Sequence, residues 1–251
     1  MIDLASILGL VIGVAAVLGG QLLEGGTLGQ ILQGTAALIV LGGTLGAVLV
    51  SFPMEEVMHA FRSIPSVFRQ EMVQCDTLVS EIGEIATVAR KEGLLAVDSQ
   101  ISKVSDPLLK KCLKHVVDGF DANAIREIID AEIELGYEKD VQAAKVFEAA
   151  GGYAPTIGII GAVLGLIHVM TLLNEPAKIG EGIAVAFVAT VYGVALSNLI
   201  LIPIGTKLKR RAQQNTVSRE VIKQGVIGIQ EGINPFFLQE KLSVFLRREK
   251  K

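Results

Sequence analysis

Residues 153–173, YAPTIGIIGAVLGLIHVMTLL, and residues 182–206, GIAVAFVATVYGVALSNLILIPIGT, are two long apolar runs without a Lys, Arg, Asp or Glu. A helix needs about 20 apolar residues to cross a bilayer, so each run is long enough to span. Two earlier stretches, Leu4–Leu23 and 31–52, share the property. The composition agrees: of 251 residues, 51% are hydrophobic and only 20% charged, and the mean hydropathy is +0.53, too apolar for an ordinary soluble chain. Aromatics are 5%, Trp is absent, and 27 Gly stand against 7 Pro and 2 Cys, which excludes collagen, disorder and disulfide scaffolds. The expected fold is all-α: a polytopic membrane protein with four transmembrane helices and a large helical cytoplasmic domain.

Working outward, residues 1–52 hold the first helix pair, 53–150 a cytoplasmic helical domain, 151–206 the second pair and 207–251 a cytoplasmic helical tail. The N-terminal run lacks a basic leader and is followed by Gly19, Gly20 and Glu24 instead of a small-residue cleavage site, so it reads as a retained span. Basic residues orient the chain. The connection between the first two spans has no Lys or Arg and that between the last two has only Lys178, whereas Lys207, Lys209, Arg210 and Arg211 cluster at the last membrane exit. The positive-inside rule puts both termini in the cytoplasm.

Between the pairs the periodicity is helical: Val57, Ala60, Phe61, Ile64 and Phe68 mark one apolar face, and Ile125, Ile128, Ile129, Ile133 and Leu135 a looser one. Breaks are expected at Pro65, Gly93, Pro107, Gly119 to Asn123 and Gly136, with Asp106 and Asp121 as N-caps. Cys75 and Cys112 have no Cys or His at zinc-ligand spacing and read as reduced, buried or inert thiols.

Small residues fall on helical faces: Gly42 and Gly46; Gly158, Gly161, Ala162 and Gly165; Ala186, Thr190, Gly193 and Ser197. Generic close packing explains such faces. Their excess in the last two spans suggests contact with another subunit or the lining of a narrow path. Ion movement through lipid ordinarily needs an ionisable group in the membrane, and no carboxylate lies in these spans. Their polar groups are Thr35, Thr44, Thr156, His168, Thr171, Thr190, Tyr192, Ser197 and Asn198. His168, alone near a helix end, reads as a packing or interfacial residue, so an ion-binding carboxylate would come from a partner.

Pro155 reads either as the first residue of the third span or as part of a hinge, and Pro203 either as a tolerated kink or as the other part. No GxxxxGK[ST], HExxH, GxSxG or CxxC motif occurs, and His59, His115 and His168 have no carboxylate at i+4, so no enzyme chemistry, cofactor or metal site is expected. A net charge of −3 argues against nucleic acid as a partner. Residues 87–98, TVARKEGLLAVD, carry both charge signs around Gly93, either as a solvated surface or as a guide for contact with a partner.

Taken together, GGQLLEGG (19–26), ALIVLGGTLGA (37–47), ARKEGLLAVD (89–98), GGYAPTIGIIGAVLGLI (151–167), AVAFVATVYGVALSNLILIPIGTKL (184–208) and IQEGINPFFLQEKL (229–242) resemble, in order, signatures of the MotA/PomA subunits of the bacterial flagellar stator. The resemblance covers nearly the whole chain. It implies a homo-pentamer around a MotB-type dimer whose single membrane helix supplies the ion-binding Asp. Ion flow would turn the pentamer and push the rotor protein FliG. By position, Arg90, Lys91 and Asp98 match the rotor-facing charges, with Asp98 in place of the more usual Glu. Pro155 and Pro203 match the coupling prolines, and Thr190 the threonine beside the partner Asp. Ala162 stands where many sodium-driven members have Thr, which removes an oxygen ligand that a dehydrated Na⁺ needs and favours H⁺ over Na⁺ as the transported ion. The alternatives are an ExbB/TolQ-type energiser of outer-membrane processes, a stand-alone channel or secondary transporter, and a structural membrane scaffold.

Overall fold

The computed structural model describes residues 3–69, 75–171 and 176–249, all in helices, turns and short connections with no β-strand among them. The chain divides into two compact units, Met1–Glu71 with Asp140–Lys209, and Met72–Lys139 with Arg210–Lys251.

Among the described residues, four helices are long and apolar enough to cross a membrane: two lie in the first unit, and two others run through both units. Helix α1, Leu4–Leu23, starts at Asp3, whose carboxylate accepts from the Ser6 N–H at 3.3 Å and so fills one of the open donors of the first turn. No α1 residue is buried within the chain. Leu4, Leu8, Val11 and Ile12 are exposed, as suits a helix dissolved in hydrocarbon. Gly25, at φ 83°, turns the chain into the single helical turn Leu28–Ile31. Helix α2, Gly34–Ser51, begins three residues later than the apolar run suggests. The cause is Tyr192, whose hydroxyl donates to the Ile31 carbonyl at 2.7 Å and accepts from the Gln33 N–H at 3.3 Å, satisfying the backbone on both sides of the break.

Helix α3, Met54–Val67, follows Pro53 and carries Glu55 and Glu56 in its first turn, where the helix dipole favours them. It buries Val57, Ala60 and Val67 against Ala143, Ala144, Val146 and Phe147, and Ile64 and Phe68 pack on the same cluster. Phe61, expected on that face, is 48% exposed and meets Phe147 only edge-on, with centroids 6.2 Å apart. Pro65 does not break α3: it falls in the last turn, where few following residues depend on the bonds that it disturbs.

In the second unit, α4 (Cys75–Glu92) and α5 (Pro107–Val117) pack with the start of α6, which runs unbroken from Ala122 to Thr171. Asp106 caps α5 through the Leu108 and Leu109 N–H groups, and Asp121 accepts from the Asn123 and Ala124 N–H groups at the start of α6. Helix α7 comprises Pro176–Ala195, a π-helical turn Leu196–Leu201, and Ile202–Gln230. Helix α8, Pro235–Glu249, closes the unit. Its core is Ile82, Leu109, Leu113, Ile125, Ile129, Ile222, Leu238 and Leu242 with their neighbours. Ile125, Ile129 and Ile133 are buried as the periodicity requires, whereas Leu135 is 66% exposed. The expected break at Gly136 is absent, since α6 continues through it with the Arg219 guanidinium against the missing Cβ. Cys112 is a buried free thiol, pushed up to about 12 by burial and therefore inert. The Cys75 side chain lies outside the described residues.

Candidate functional site

The last two spans pack through their smallest residues. A Cβ placed on Gly158 would stand 2.8 Å from the Ala189 carbonyl and 3.2 Å from the Gly193 Cα. One on Gly161 would stand 2.9 Å from the Ala189 Cβ, and one on Gly165 2.8 Å from the Ala186 Cβ. The backbones therefore approach as closely as glycine permits. The close packing that explains such small-residue faces is thus seen inside the chain.

The antiparallel register pairs Gly165 with Ala186, Gly161 with Ala189 and Gly158 with Gly193. Thr190 lies against Gly158, its Cα 3.4 Å from a Cβ placed there, and Thr190 and Ala162 are both half-buried. His168 is exposed near the opposite end of its span from Pro155, and its carbonyl accepts from the Thr171 hydroxyl.

Pro155 is half-buried in the interior of α6, thirty-three residues past the helix start at Ala122, so it does not begin the helix. Its missing N–H deprives the Gly151 carbonyl of its i+4 donor. The Ser197 hydroxyl donates to that carbonyl at 2.6 Å, and Ser197 is 1% exposed. On the same helix as Ser197, Gly193 faces Pro155: a Cβ there would come within 2.5 Å of the Ala154 carbonyl and 3.1 Å of the Pro155 Cα. Pro203, exposed, is the second residue of the helical stretch after the π-helical turn. Such a widened turn relieves the collision between a proline ring and the carbonyl four residues earlier, here Leu199. Both prolines thus sit where the hydrogen-bond ladder of a span is altered.

At the membrane exit of α7, Lys207 forms an ion pair with Asp3 and also donates to the Ser6 hydroxyl at 2.7 Å. The hydrogen bond from Lys207 holds the Asp3 carboxyl below the usual carboxylate range. The start of α1 is therefore fastened to the basic exit of α7. His59, unpaired at i+4 in the sequence, approaches Asp140 at 3.8 Å, a long-range partner that local spacing does not reveal.

The charged stretch belongs to the second unit. Arg90 and Lys91 occupy the last turn of α4, where cations suit the helix dipole, and both are exposed. Gly93, at φ 90°, turns the chain into the 3₁₀ turn Leu94–Val97, and exposed Asp98 follows. Val97 is fully buried and Leu94 packs on the core, so the turn is anchored beneath the charges. Leu95, singled out by no sequence pattern, is 77% exposed between Arg90 and Asp98. Arg90 also borders a cavity of about 270 Å³ with Ala89, Leu94, Glu231 and Ile233. Among the described residues, Arg90, Lys91 and Asp98 form no ion pair.

Sequence profiles of known families match this chain twice: Motility protein A N-terminal over residues 7–93, and the MotA/TolQ/ExbB proton channel family over residues 100–221. Motility protein A of Bacillus subtilis (strain 168) is 34% identical, over 97% of this chain and 91% of its own length. Chemotaxis protein PomA of Vibrio alginolyticus is 35% identical, over 99% and 97%. Among solved structures, that of C. jejuni MotAB matches with a TM-score of 0.91 at 32% identity, over 97% of this chain and 95% of that one. The flagellar MotAB stator complex from Bacillus subtilis matches with a TM-score of 0.88 at 33% identity, over 99% and 98%.

Proposed function

The chain belongs to the MotA/PomA group of the MotA/TolQ/ExbB proton channel family and is a stator subunit of the flagellar motor; from that premise we propose how it is assembled and driven. Five copies surround a MotB-type dimer in the bacterial inner membrane, with both termini in the cytoplasm. The partner helix supplies the ion-binding Asp, ion flow turns the pentamer, and Arg90, Lys91 and Asp98 press on the rotor protein FliG. Energy comes from the ion gradient and not from a reaction catalysed by this chain.

The observation that carries the proposal is the register of the last two spans. Thr190, against Gly158 in that register, carries a hydroxyl and Ala162 carries none, so a partner carboxylate beside them would offer Na⁺ one oxygen neighbour fewer, which supports H⁺. Protons are therefore the favoured ion. The Asp3–Lys207 pair supports the topology, because it ties the N-terminus to the side of the membrane on which Lys207, Lys209, Arg210 and Arg211 emerge.

Native mass spectrometry of the complex purified with its partner tests the assembly. The expected mass is five copies of this chain with two of the partner. Any other stable ratio overturns that arrangement.

A further inference from the structure

Helix α6 passes through Pro155 without interruption, although the proline cannot donate to the Gly151 carbonyl. We propose that Ser197 is a positioning residue for the coupling step: its hydroxyl replaces the donor that Pro155 lacks and sets the conformation of the proline hinge from the neighbouring span. The inference rests on reading Pro155 as a coupling residue.

Three observations carry it. The bond is short, 2.6 Å, and the residue is 1% exposed, so no water competes for the hydroxyl. A serine inside a helix ordinarily returns its hydroxyl to its own helix, as Ser51 does to Ala47 and Ser63 to His59, but Ser197 reaches across to another helix, 46 residues away in sequence. The two spans pack closely on both sides of the bond: Gly193 lies against Ala154 and Pro155, and a Cβ on Gly151 would stand 2.6 Å from the Ile202 side chain.

Ser197 also lies in the π-helical turn that precedes Pro203. One hydroxyl therefore joins the altered stretch of one span to the altered stretch of the other. Bending α6 at Pro155 relative to α7 must break or redirect this bond, which makes it part of what separates two arrangements of the pair.

The test compares Ser197→Ala, Ser197→Thr, Pro155→Ala and the double variant Pro155→Ala/Ser197→Ala in the full complex with its partner. Torque per stator is read from stepwise single-motor traces, and the melting temperature from the purified complex. Ser197→Ala should lower torque per stator at least twofold, and Ser197→Thr, which keeps the hydroxyl, should retain most of it. Ser197→Ala should lower the melting temperature in the native background but much less in the Pro155→Ala background, where the restored backbone N–H serves the Gly151 carbonyl. Full torque in Ser197→Ala, or an equal loss of melting temperature in both backgrounds, overturns the assignment. If Ser197→Ala fails to assemble, the double variant must still assemble, and its failure also overturns the assignment. Unchanged torque in Pro155→Ala, with the stability coupling intact, removes the coupling reading of the proline and leaves the hydrogen bond standing.

Discussion

Arg90 and Asp98 flank a turn whose anchors, Val97 and Leu94, face inward, so their charge can be altered with little effect on the fold. Surface substitutions of this kind shift stability by less than about 0.5 kcal/mol. Arg90→Glu or Asp98→Lys should reduce swimming and torque per stator severalfold at an unchanged membrane level, with partial rescue by the opposite reversal on the rotor. Equal torque in every single and paired reversal would remove these residues from the rotor contact. Asp3 offers a second check. Because Lys207 lowers its native titration, the pair stabilises above the ordinary carboxylate value of about 3.9 and loses that effect as pH falls through the lowered value. The melting temperatures of Asp3→Asn and the native complex should therefore differ at neutral pH and converge in acid. A pH-independent gap would show that the charge of Asp3 is not what stabilises the complex.

Among the elements, the close pairing of the last two spans gives the sharpest contrast. A side chain on Gly158 meets a backbone carbonyl that cannot move aside, whereas one on Gly9 of α1 meets nothing within 4 Å. Gly158→Val should cost at least about 1–3 kcal/mol and lower the amount of complex in the membrane. Gly9→Ala should leave that amount unchanged, and immunoblots of membrane fractions distinguish the two. Equal accumulation of both variants would mean that the spans can separate to admit a side chain. The spans themselves were legible in the sequence because length, apolarity and the lack of charge are local properties. The continuity of α6 was not: Pro155 read either as a start or as a hinge and Gly136 as a break, and only groups distant in the chain, Ser197 and Arg219, occupy the places that those residues leave open. The missing donor at Gly151 was nevertheless implied by Pro155, which is the one sequence signal that pointed toward a partner hydroxyl. Leu95 carried no such signal, because an exposed leucine in a short turn has no periodicity to betray it.

At the scale of the whole molecule, the chain joins membrane spans without a carboxylate to a helical unit that displays exposed charges, a division of labour suited to turning ion flow into force on an external partner. The motif order made this arrangement readable before any coordinates, while the pairing of Gly165 with Ala186 and Gly158 with Gly193 emerged only from their distances. The most direct measurement is single-motor rotation in cells in which this subunit and its cognate partner are the only stator, with sodium removed at fixed pH. The account expects rotation to continue in stepwise speed units without sodium, driven by protons past Ala162 and Thr190. Rotation that stops and returns only with sodium would contradict the proton assignment, and an assembled complex that turns the motor with neither ion would contradict the torque-generating account itself.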